Sequence, residues 1–202
     1  MKSLNNNDNI VKYVEDYEEN GHLNIIMEYG GKNLYDFIHD PKNVAIEEKD
    51  IKEIVLQICN GLRVIHKAKI IHRDLKPENI FINEKNKIKI GDFGTSTKLE
   101  TNKDITYTME GKATNEYKAP EIAQGSEITN KVDIYSLGCI IYELFNKSRY
   151  HDDKLYRDEG LKKINTDIYN SKWQDLIDLL VKSKSSERPD INKVIDYISD
   201  IK

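Results

Sequence analysis

The chain has 202 residues, of which 38% are apolar and 33% are charged, and its formal net charge is −4. This length suffices for one domain with a substantial core, and the composition is far from that of a disordered protein. The acidic balance argues against a nucleic-acid-binding protein, whose binding surface is usually basic. Residues 1–10 lack the apolar core of a signal peptide and no apolar run reaches membrane-spanning length, so no membrane partner is expected.

Cysteine content bears on the cellular compartment. The chain has two cysteines, Cys59 and Cys139, which are too few for a disulfide framework. Because free thiols persist in a reducing environment, the chain is expected in the cytoplasm or the nucleus.

The first part of the chain is predicted to be a β-hairpin followed by a short helix. Residues 10–17 and 23–29 have the composition of strands, and Asn20-Gly21 between them is a strong signal for a tight turn. Gly30-Gly31 ends the second strand. A short helix is predicted directly afterwards from the apolar positions Leu34, Phe37 and Ile38.

The middle of the chain is predicted to contain a long helix and two short strands. Residues 46–67 have an amphipathic pattern in which apolar side chains recur at helical spacing: Ile51, Ile54, Val55, Ile58, Leu62 and Ile65. The two short strands are predicted at residues 80–83 and 87–90.

After residue 121 the pattern indicates helices and loops alone. Residues 134–145 are apolar on most helical faces, which marks a buried helix, and residues 191–198 form a last amphipathic helix. A strand pair followed by a mostly helical body predicts an α+β fold.

Two stretches carry the chemistry. The sequence HRDLKPEN at residues 72–79 and the sequence DFG at residues 92–94 resemble the catalytic loop and the metal-binding loop of eukaryotic protein kinases. At average composition, a chance match of this quality arises about once per billion trials. Further landmarks of the same family follow downstream, namely APE at residues 119–121, Asp133, Gly138 and Arg188.

The resemblance covers about residues 8–200 and implies a protein-kinase-like fold. This fold has a mostly helical C-lobe and, in this chain, an incomplete N-lobe β-sheet. Residues 1–29 would be a remnant of the N-lobe and residues 30–202 the hinge and C-lobe, so that 1–202 is a partial kinase domain.

The resemblance also implies roles for residues of the two stretches. Asp74 would orient the substrate hydroxyl and accept its proton, and Lys76 would offset charge on the γ-phosphate of ATP. Asn79 and Asp92 supply oxygen atoms of the kind that Mg²⁺ prefers, and Phe93 would fix the position of Asp92. ATP and Mg²⁺ are therefore the expected cofactors.

The stretch LNIIMEYGGKNL at residues 23–34 resembles the adenine pocket of the same family. Met27 would guard the back of this pocket, and Phe81 would form its floor. The carbonyl of Glu28 and the amide of Gly30 would bind the adenine edge. Alone this stretch is a weak signal, and its place before the catalytic loop supports the assignment.

The segment that ends with APE resembles an activation segment. Thr114 stands at a position typical of serine/threonine kinases, where it contacts the catalytic Asp, and Lys76 indicates the same class. Arg73 suggests control by phosphorylation, because arginine can bind a phosphate through two hydrogen bonds. The nearest candidates are Thr106, Tyr107 and Thr108, each of which could equally be a solvated loop residue.

Some resemblances concern structure and specificity. Glu121 and Arg188 resemble partners that tie the activation segment to the helical body, and Arg73 and Asp133 are expected to be structural. Glu78 resembles the acidic residue with which basophilic kinases bind a substrate arginine, although a side chain that simply faces solvent is the preferred interpretation.

Two parts of the family pattern are absent from the 202 residues, namely the Gly-rich phosphate loop and the strand Lys with its helix Glu. The chain is then part of a longer serine/threonine kinase, a catalytically dead docking or regulatory module, or a kinase that works without a front lobe. The third interpretation is disfavoured, because losing one charge-stabilising contact costs about 10²–10³ in rate.

The intact catalytic set Asp74, Lys76, Asn79 and Asp92 favours the first interpretation, with protein substrates and ATP as partners. The subfamily stays open among several, including NIMA-related, polo-like and translation-initiation-factor kinases. A two-stranded remnant without sheet neighbours is expected to expose an unpaired edge and apolar side chains.

Overall fold

The computed structural model of the chain describes residues 2–43, 45–99, 106–107, 116–149 and 163–202. The strands in these ranges are β1 Tyr13–Glu19, β2 His22–Met27, β3 Lys32–Asn33, β4 Ile70–Ile71, β5 Ile80–Ile82, β6 Ile88–Ile90, β7 Thr97–Lys98, β8 Thr106–Tyr107 and β9 Glu127–Ile128. The helices are α1 Leu34–Ile38, α2 Glu48–Lys67, α3 Pro120–Ala123, α4 Lys131–Asn146, α5 Lys172–Leu180 and α6 Ile191–Ser199. Short 3₁₀ turns lie at Lys2–Leu4, Pro77–Asn79 and Ser185–Glu187.

β1 and β2 form the antiparallel hairpin that Asn20-Gly21 predicts. Glu19 pairs with His22, which leaves Asn20 and Gly21 as a two-residue turn. Both turn residues have positive φ, 52° and 75°, as a type I′ turn requires.

The hairpin has no further strand beside it in the part of the chain that the structure describes. Its apolar side chains are exposed by 39–65%, as the sequence predicts for a strand pair without neighbours: Val14, Tyr17, Leu23, Ile25, Ile26 and Met27.

The residues just before β1 attach the hairpin to the rest of the molecule. Ile10, predicted as the first strand residue, instead forms a parallel bridge with Ile90 of β6, and the amide of Val11 donates to the Ile90 carbonyl at 2.9 Å. Ile10 and Val11 are buried. The predicted first strand is therefore divided, because its beginning pairs with β6 and its remainder with β2.

A three-stranded antiparallel sheet of order β3-β5-β6 lies between the hairpin and the helices. The turn from β2 into β3 passes close to β5. A Cβ at Gly30 would lie 2.8 Å from Phe81 Cβ, and a Cβ at Gly31 would lie 2.2 Å from the Ile82 carbonyl oxygen. The Gly30-Gly31 pair is thus required by close backbone approach as well as by the strand ending.

α2 supplies the central apolar face of the helical body. It starts two positions later than predicted and buries the predicted apolar positions, together with Cys59 and Gly61. Glu48 and Asp50 lie in its first turn and His66 and Lys67 in its last, as the helix dipole favours.

α4 is buried from Val132 to Phe145, as its apolar pattern predicts. A Cβ at Gly138 would lie 2.8 Å from Leu180 Cβ, so the glycine allows α5 to approach α4 closely. Trp173 of α5 is fully buried and its indole donates to Glu48 Oε1 at 3.0 Å. These contacts join α2, α4 and α5 into one core.

The prediction of helices and loops alone after residue 121 is wrong. Residues 127–128 form β9 and pair with β8, Thr106 opposite Ile128 and Tyr107 opposite Glu127. Two-residue strands carry no periodicity, since a period of two needs several residues to become visible. The same reason applies to β3, β4 and β7, which were not predicted.

Both cysteines are buried and free. Burial raises the pKa of the Cys59 thiol to about 12 and also raises that of Cys139, so neither is a reactive thiolate. Among the described residues, no helix combines the length and the apolar character needed to cross a membrane.

Candidate active site

A buried carboxylate fixes the backbone of the predicted catalytic loop. Asp133, in the first turn of α4, is fully buried and accepts hydrogen bonds from the amides of His72 at 3.0 Å and Arg73 at 2.9 Å. Its Oδ2 also lies 2.8 Å from His66 Nε2. Burial alone would raise the pKa of Asp133. Its hydrogen bonds and the charges of His66 and His72 lower this pKa by more than burial raises it, so the pKa lies below the usual value.

These contacts hold Arg73 at φ 71°, in the left-handed region that a non-glycine residue enters at an energetic cost. The Arg73 side chain turns towards β7, where Nη1 donates to Thr97 Oγ1 at 2.6 Å. A strained residue next to Asp74, held by a buried charge, is the kind of position where proteins keep a functional group in place.

Asp74, Lys76 and Asn79 form one contact group. Lys76 Nζ lies 2.9 Å from Asp74 Oδ2, and Asn79 Nδ2 donates to the same oxygen at 3.0 Å and to the Asp74 carbonyl at 2.8 Å. The 3₁₀ turn Pro77–Asn79 brings Asn79 back to Asp74. Asp74 Oδ1 accepts no hydrogen bond from the described residues and stays available.

Gly91 connects this group to the DFG stretch. Its amide donates to the Asn79 carbonyl at 2.9 Å, and its carbonyl accepts a hydrogen bond from His72 Nε2 at 2.8 Å. The His72 ring also contacts Phe93, with centroids 5.1 Å apart. Asp92, which follows Gly91, is exposed, and its φ of 53° is the second non-glycine positive φ in this region.

The residues present fit a Mg²⁺ ion. The NH₂ group of Asn79 donates both of its hydrogen bonds to Asp74. The Asn79 Oδ1 atom accepts no hydrogen bond from the described residues. Asp92 Oδ1 accepts only the long 3.2 Å hydrogen bond from the Gly94 amide in the described part of the chain. Both side chains thus offer hard oxygen atoms, and Gly91 ties their backbones together.

Phe81, the predicted floor of the adenine pocket, packs against two glycines. A Cβ at Gly91 would lie 2.7 Å from Phe81 Cε2, and a Cβ at Gly30 would lie 2.8 Å from Phe81 Cβ. The Phe81 side chain thus fills the space next to both glycines, so a larger residue at either position would have to displace it. Met27, at the end of β2, is 41% exposed, so the described residues do not enclose it.

Glu28 contacts the sheet through its side chain, away from the predicted role of its carbonyl. Glu28 Oε1 accepts hydrogen bonds from the Lys12 amide at 2.8 Å and from Lys89 Nζ at 2.7 Å. Partial burial alone would raise the pKa of Glu28. These hydrogen bonds lower the pKa by more than burial raises it, so it lies below its usual value. The side chain is thereby anchored, while the carbonyl accepts no hydrogen bond from the described residues.

Of the predicted activation-segment residues, Thr106 and Tyr107 lie within the described ranges, through their backbone in β8. Thr108 and Thr114 lie outside the described residues.

The predicted contact between Glu121 and Arg188 is present. Arg188 Nη1 and Nη2 donate to the two Glu121 oxygens at 2.6 and 2.9 Å. The remaining Arg188 donors reach carbonyls of Lys131, Lys182 and Ser183. The Arg188 side chain is 0% exposed, so this guanidinium is fully satisfied without water.

A second buried network was not predicted from the sequence. Glu143 of α4 is 0% exposed at its side chain and is contacted by Tyr117 Oη at 2.5 Å and His39 Nε2 at 2.7 Å. Burial raises the pKa of Glu143 by more than the hydrogen bonds from Tyr117 and His39 lower it. The pKa therefore lies above its usual value. A Glu within an apolar helical run was the available signal, because such a residue needs a partner.

Comparison with known proteins identifies a family and several relatives. The model of the family described as "Protein kinase domain" matches residues 1–197. Serine/threonine-protein kinase Nek1 of Mus musculus is 33% identical over 195 residues, which are 93% of this chain and 16% of Nek1. Nek5 and Nek3 of the same organism are 35% and 36% identical over 93% and 90% of the chain. The chain spans 31% of the length of Nek5 and 36% of the length of Nek3.

Proposed function

Because the chain belongs to the protein kinase domain family, as its motifs predict, we propose that it forms the hinge and helical lobe of a serine/threonine kinase. In this proposal the protein transfers the γ-phosphate of ATP to serine and threonine side chains of proteins. Its relatives that carry the name serine/threonine-protein kinase support the class of reaction. The observation that carries the proposal is the connected group of Asp74, Lys76 and Asn79 beside Asp92.

In this proposal Asp74 acts on the acceptor hydroxyl. Its Oδ2 is already occupied by Lys76 and Asn79, so Oδ1 is the atom that takes the hydrogen bond from the serine or threonine and receives its proton. Holding one carboxylate oxygen with two donors fixes the direction of the other. This arrangement orients the substrate before any chemistry occurs.

Lys76 places positive charge beside Asp74, where the phosphoryl group has to pass. Its ammonium group has three donors, and the contact with Asp74 uses one of them. The others are available for phosphate oxygens. Mg²⁺, when bound between Asn79 and Asp92, would supply further neutralisation of phosphate charge.

We assign residues 1–29 to a front lobe whose remaining parts lie outside this chain. The exposed apolar side chains of the hairpin support this assignment, because a surface of this kind normally packs against further strands. The missing Gly-rich loop and strand Lys would come from those parts. Two buried, unreactive thiols support a reducing compartment, the cytoplasm or the nucleus.

The proposal is tested by a kinase assay on the chain completed with a front lobe, either its own upstream sequence or that of Nek1. The completed protein should phosphorylate serine or threonine in a generic protein substrate. Asp92→Ala should abolish transfer, because a metal ligand is lost. Asp74→Asn should lower kcat strongly and leave ATP binding nearly unchanged, because Asp74 acts on the hydroxyl and not on the nucleotide.

Asp196→Ala is the matched control, since Asp196 is an exposed residue of the last helix. It should leave activity unchanged. A completed protein that is folded and binds ATP but transfers no phosphate, even with Thr106 and Thr108 replaced by Glu, would overturn the proposal. A catalytically dead docking module would then take its place.

A further inference from the structure

Two carboxylates lie beside Asp74 at the place where a substrate has to bind. Glu78, in the turn after Lys76, and Glu116, directly before Tyr117, line the same small cavity as Asp74 and Lys76. Because they share this cavity with Asp74, residues that flank a hydroxyl bound at Asp74 come within reach of these carboxylates. An uncompensated pair of carboxylates at this place would favour substrates with a basic residue.

The carboxylates are not uncompensated, because an arginine of the same chain occupies the space between them. Arg149 Nη2 lies 3.2 Å from Glu78 Oε1, and Arg149 Nη1 forms a hydrogen bond with Glu116 Oε2. The guanidinium also stacks on Tyr35 of α1, with its carbon 5.0 Å from the ring centroid. One Arg149 side chain thus bridges three elements around the cavity.

The exposed fractions of these side chains show that the bridge lies in a partly covered position. The side chains of Glu78, Glu116 and Arg149 are 34, 31 and 23% exposed. Water reaches the group without screening it fully, so the ion pairs keep part of their strength. Lys118 also lines the cavity but forms no ion pair with either carboxylate in the described part of the chain.

Glu78 is held on one side only. Its Oε1 contacts Arg149, whereas its Oε2 is buried and has no hydrogen-bond partner among the described residues. A buried carboxylate oxygen without a donor is energetically unfavourable. Glu78 therefore binds one guanidinium, that of Arg149, through Oε1 and keeps Oε2 without a donor among the described residues.

We propose that Arg149 is a specificity-determining residue that fills an arginine-binding site formed by Glu78 and Glu116, and thereby removes any preference of the kinase for basic residues next to the phosphorylated serine or threonine. The inference rests on the proposed kinase function. Arg149 occupies the position that a substrate arginine would take, and a guanidinium cannot lose its charge in a protein. A substrate arginine can bind there only by displacing it.

The test measures kcat/KM for serine peptides that carry one arginine at successive positions around the serine, relative to the same peptides with glutamine there. The active protein completed with its front lobe is used. The wild type should give ratios near one at all positions. Arg149→Gln should raise the ratio at one or two positions by about tenfold. A tenfold change represents about 1.4 kcal/mol, and each of the two partly exposed ion pairs is worth a fraction of that energy.

Matched variants separate the specific effect from a general loss of positive charge. Arg63→Gln, at an exposed position of α2, removes the same charge and should leave every ratio unchanged. Arg149→Lys keeps a cation in the site and should stay close to wild type. Adding Glu78→Gln to Arg149→Gln should abolish the gained preference.

Two results overturn the inference, and one of them does not depend on the stability of Arg149→Gln. An Arg149→Gln protein that melts like wild type but gains no preference for arginine contradicts it. So does a wild-type preference for arginine that the single variant Glu78→Gln removes, because Glu78 would then bind the substrate with Arg149 in place. If no variant phosphorylates the glutamine peptides at all, the proposed kinase function fails instead.

Discussion

Apolar side chains of the hairpin and of the helical body meet opposite surroundings. Leu23 in β2 is 65% exposed, whereas Leu62 in α2 is 0% exposed. Each fully buried side chain of this size contributes about 1.5–3 kcal/mol to the stability of the body, and its counterpart in the hairpin contributes little. The hairpin is held by local contacts, its two-residue turn and one ladder of strand pairs.

The difference shows which parts of the candidate site are rigid. Asp74, Asn79 and Asp92 belong to segments anchored to the buried Asp133 in α4 and to Gly91, which directly follows β6. Met27, at the end of β2, belongs to the region with little buried surface. The geometry around Asp74 is therefore set by buried contacts, whereas the surroundings of Met27, the predicted back of the adenine pocket, depend on what covers the hairpin.

The largest effect is expected where the body buries a charge. Arg188→Ala leaves Glu121 as a carboxylate without its bidentate partner, and frees three backbone carbonyls of their donor. The free energy of unfolding should fall by about 3–5 kcal/mol. Chemical denaturation followed by circular dichroism measures the change.

Lys184→Ala is the control for Arg188→Ala. Lys184 is 79% exposed and its contact with Glu187 is 3.8 Å long, so its removal should change stability by less than about 0.5 kcal/mol. Equal effects of the two variants would show that Glu121 and Arg188 behave as surface charges.

A pair of identical substitutions tests the comparison directly. Ile58→Ala in α2, where Ile58 is 0% exposed, should lower the free energy of unfolding by about 2–5 kcal/mol. Ile25→Ala in β2, where Ile25 is 48% exposed, should change it by less than about 0.5 kcal/mol. Both are measured by denaturation of the 202-residue chain.

Ile58→Ala and Ile25→Ala also distinguish the helical body from the hairpin when the chain is completed with a front lobe. If further strands then cover the hairpin, Ile25→Ala should become distinctly more destabilising, while Ile58→Ala keeps its value. An Ile25→Ala effect as large as that of Ile58→Ala in the chain alone would mean that the hairpin is part of the body's core.

Local signals in the sequence predicted the elements that local interactions determine. Asn20-Gly21 predicted the hairpin, because the turn type demands residues that tolerate positive φ. The apolar spacing of α2 and the apolar run of α4 predicted their burial. The motif pointed to Asp74, Lys76 and Asn79 as functional residues, and the structure brings these three side chains into contact.

Contacts between distant parts of the chain left no comparable signal. Arg149 meets Glu78 across 71 positions, and His39 meets Glu143 across 104. Neither pair has a period or a spacing that could be read from one sequence. The division of the predicted first strand at Val11 has the same origin, because Ile10 pairs with Ile90, which lies far along the chain.

Among the substitutions of buried side chains, the smallest effect is expected from replacing Glu143 with glutamine. Glu143→Gln keeps the size of the side chain, its oxygen can accept from Tyr117, and its amide can form a hydrogen bond with His39 Nε2. Burial holds the pKa of Glu143 above its unfolded value. A raised pKa favours the protonated folded state, so the stability that Glu143 contributes is present at low pH and is lost as pH rises through the folded pKa. The glutamine has no such loss, and the variant should therefore gain stability relative to wild type as pH rises above the usual range for Glu, by about 1 kcal/mol at most because both hydrogen bonds persist.

Unfolding free energies of the two proteins over a series of pH values measure this difference, and Asp196→Asn on the exposed side of the last helix should show none. A variant that loses stability relative to wild type as pH rises would mean that the ionised Glu143 is favoured in the folded protein, and that His39 and Tyr117 stabilise the charge by more than burial opposes it.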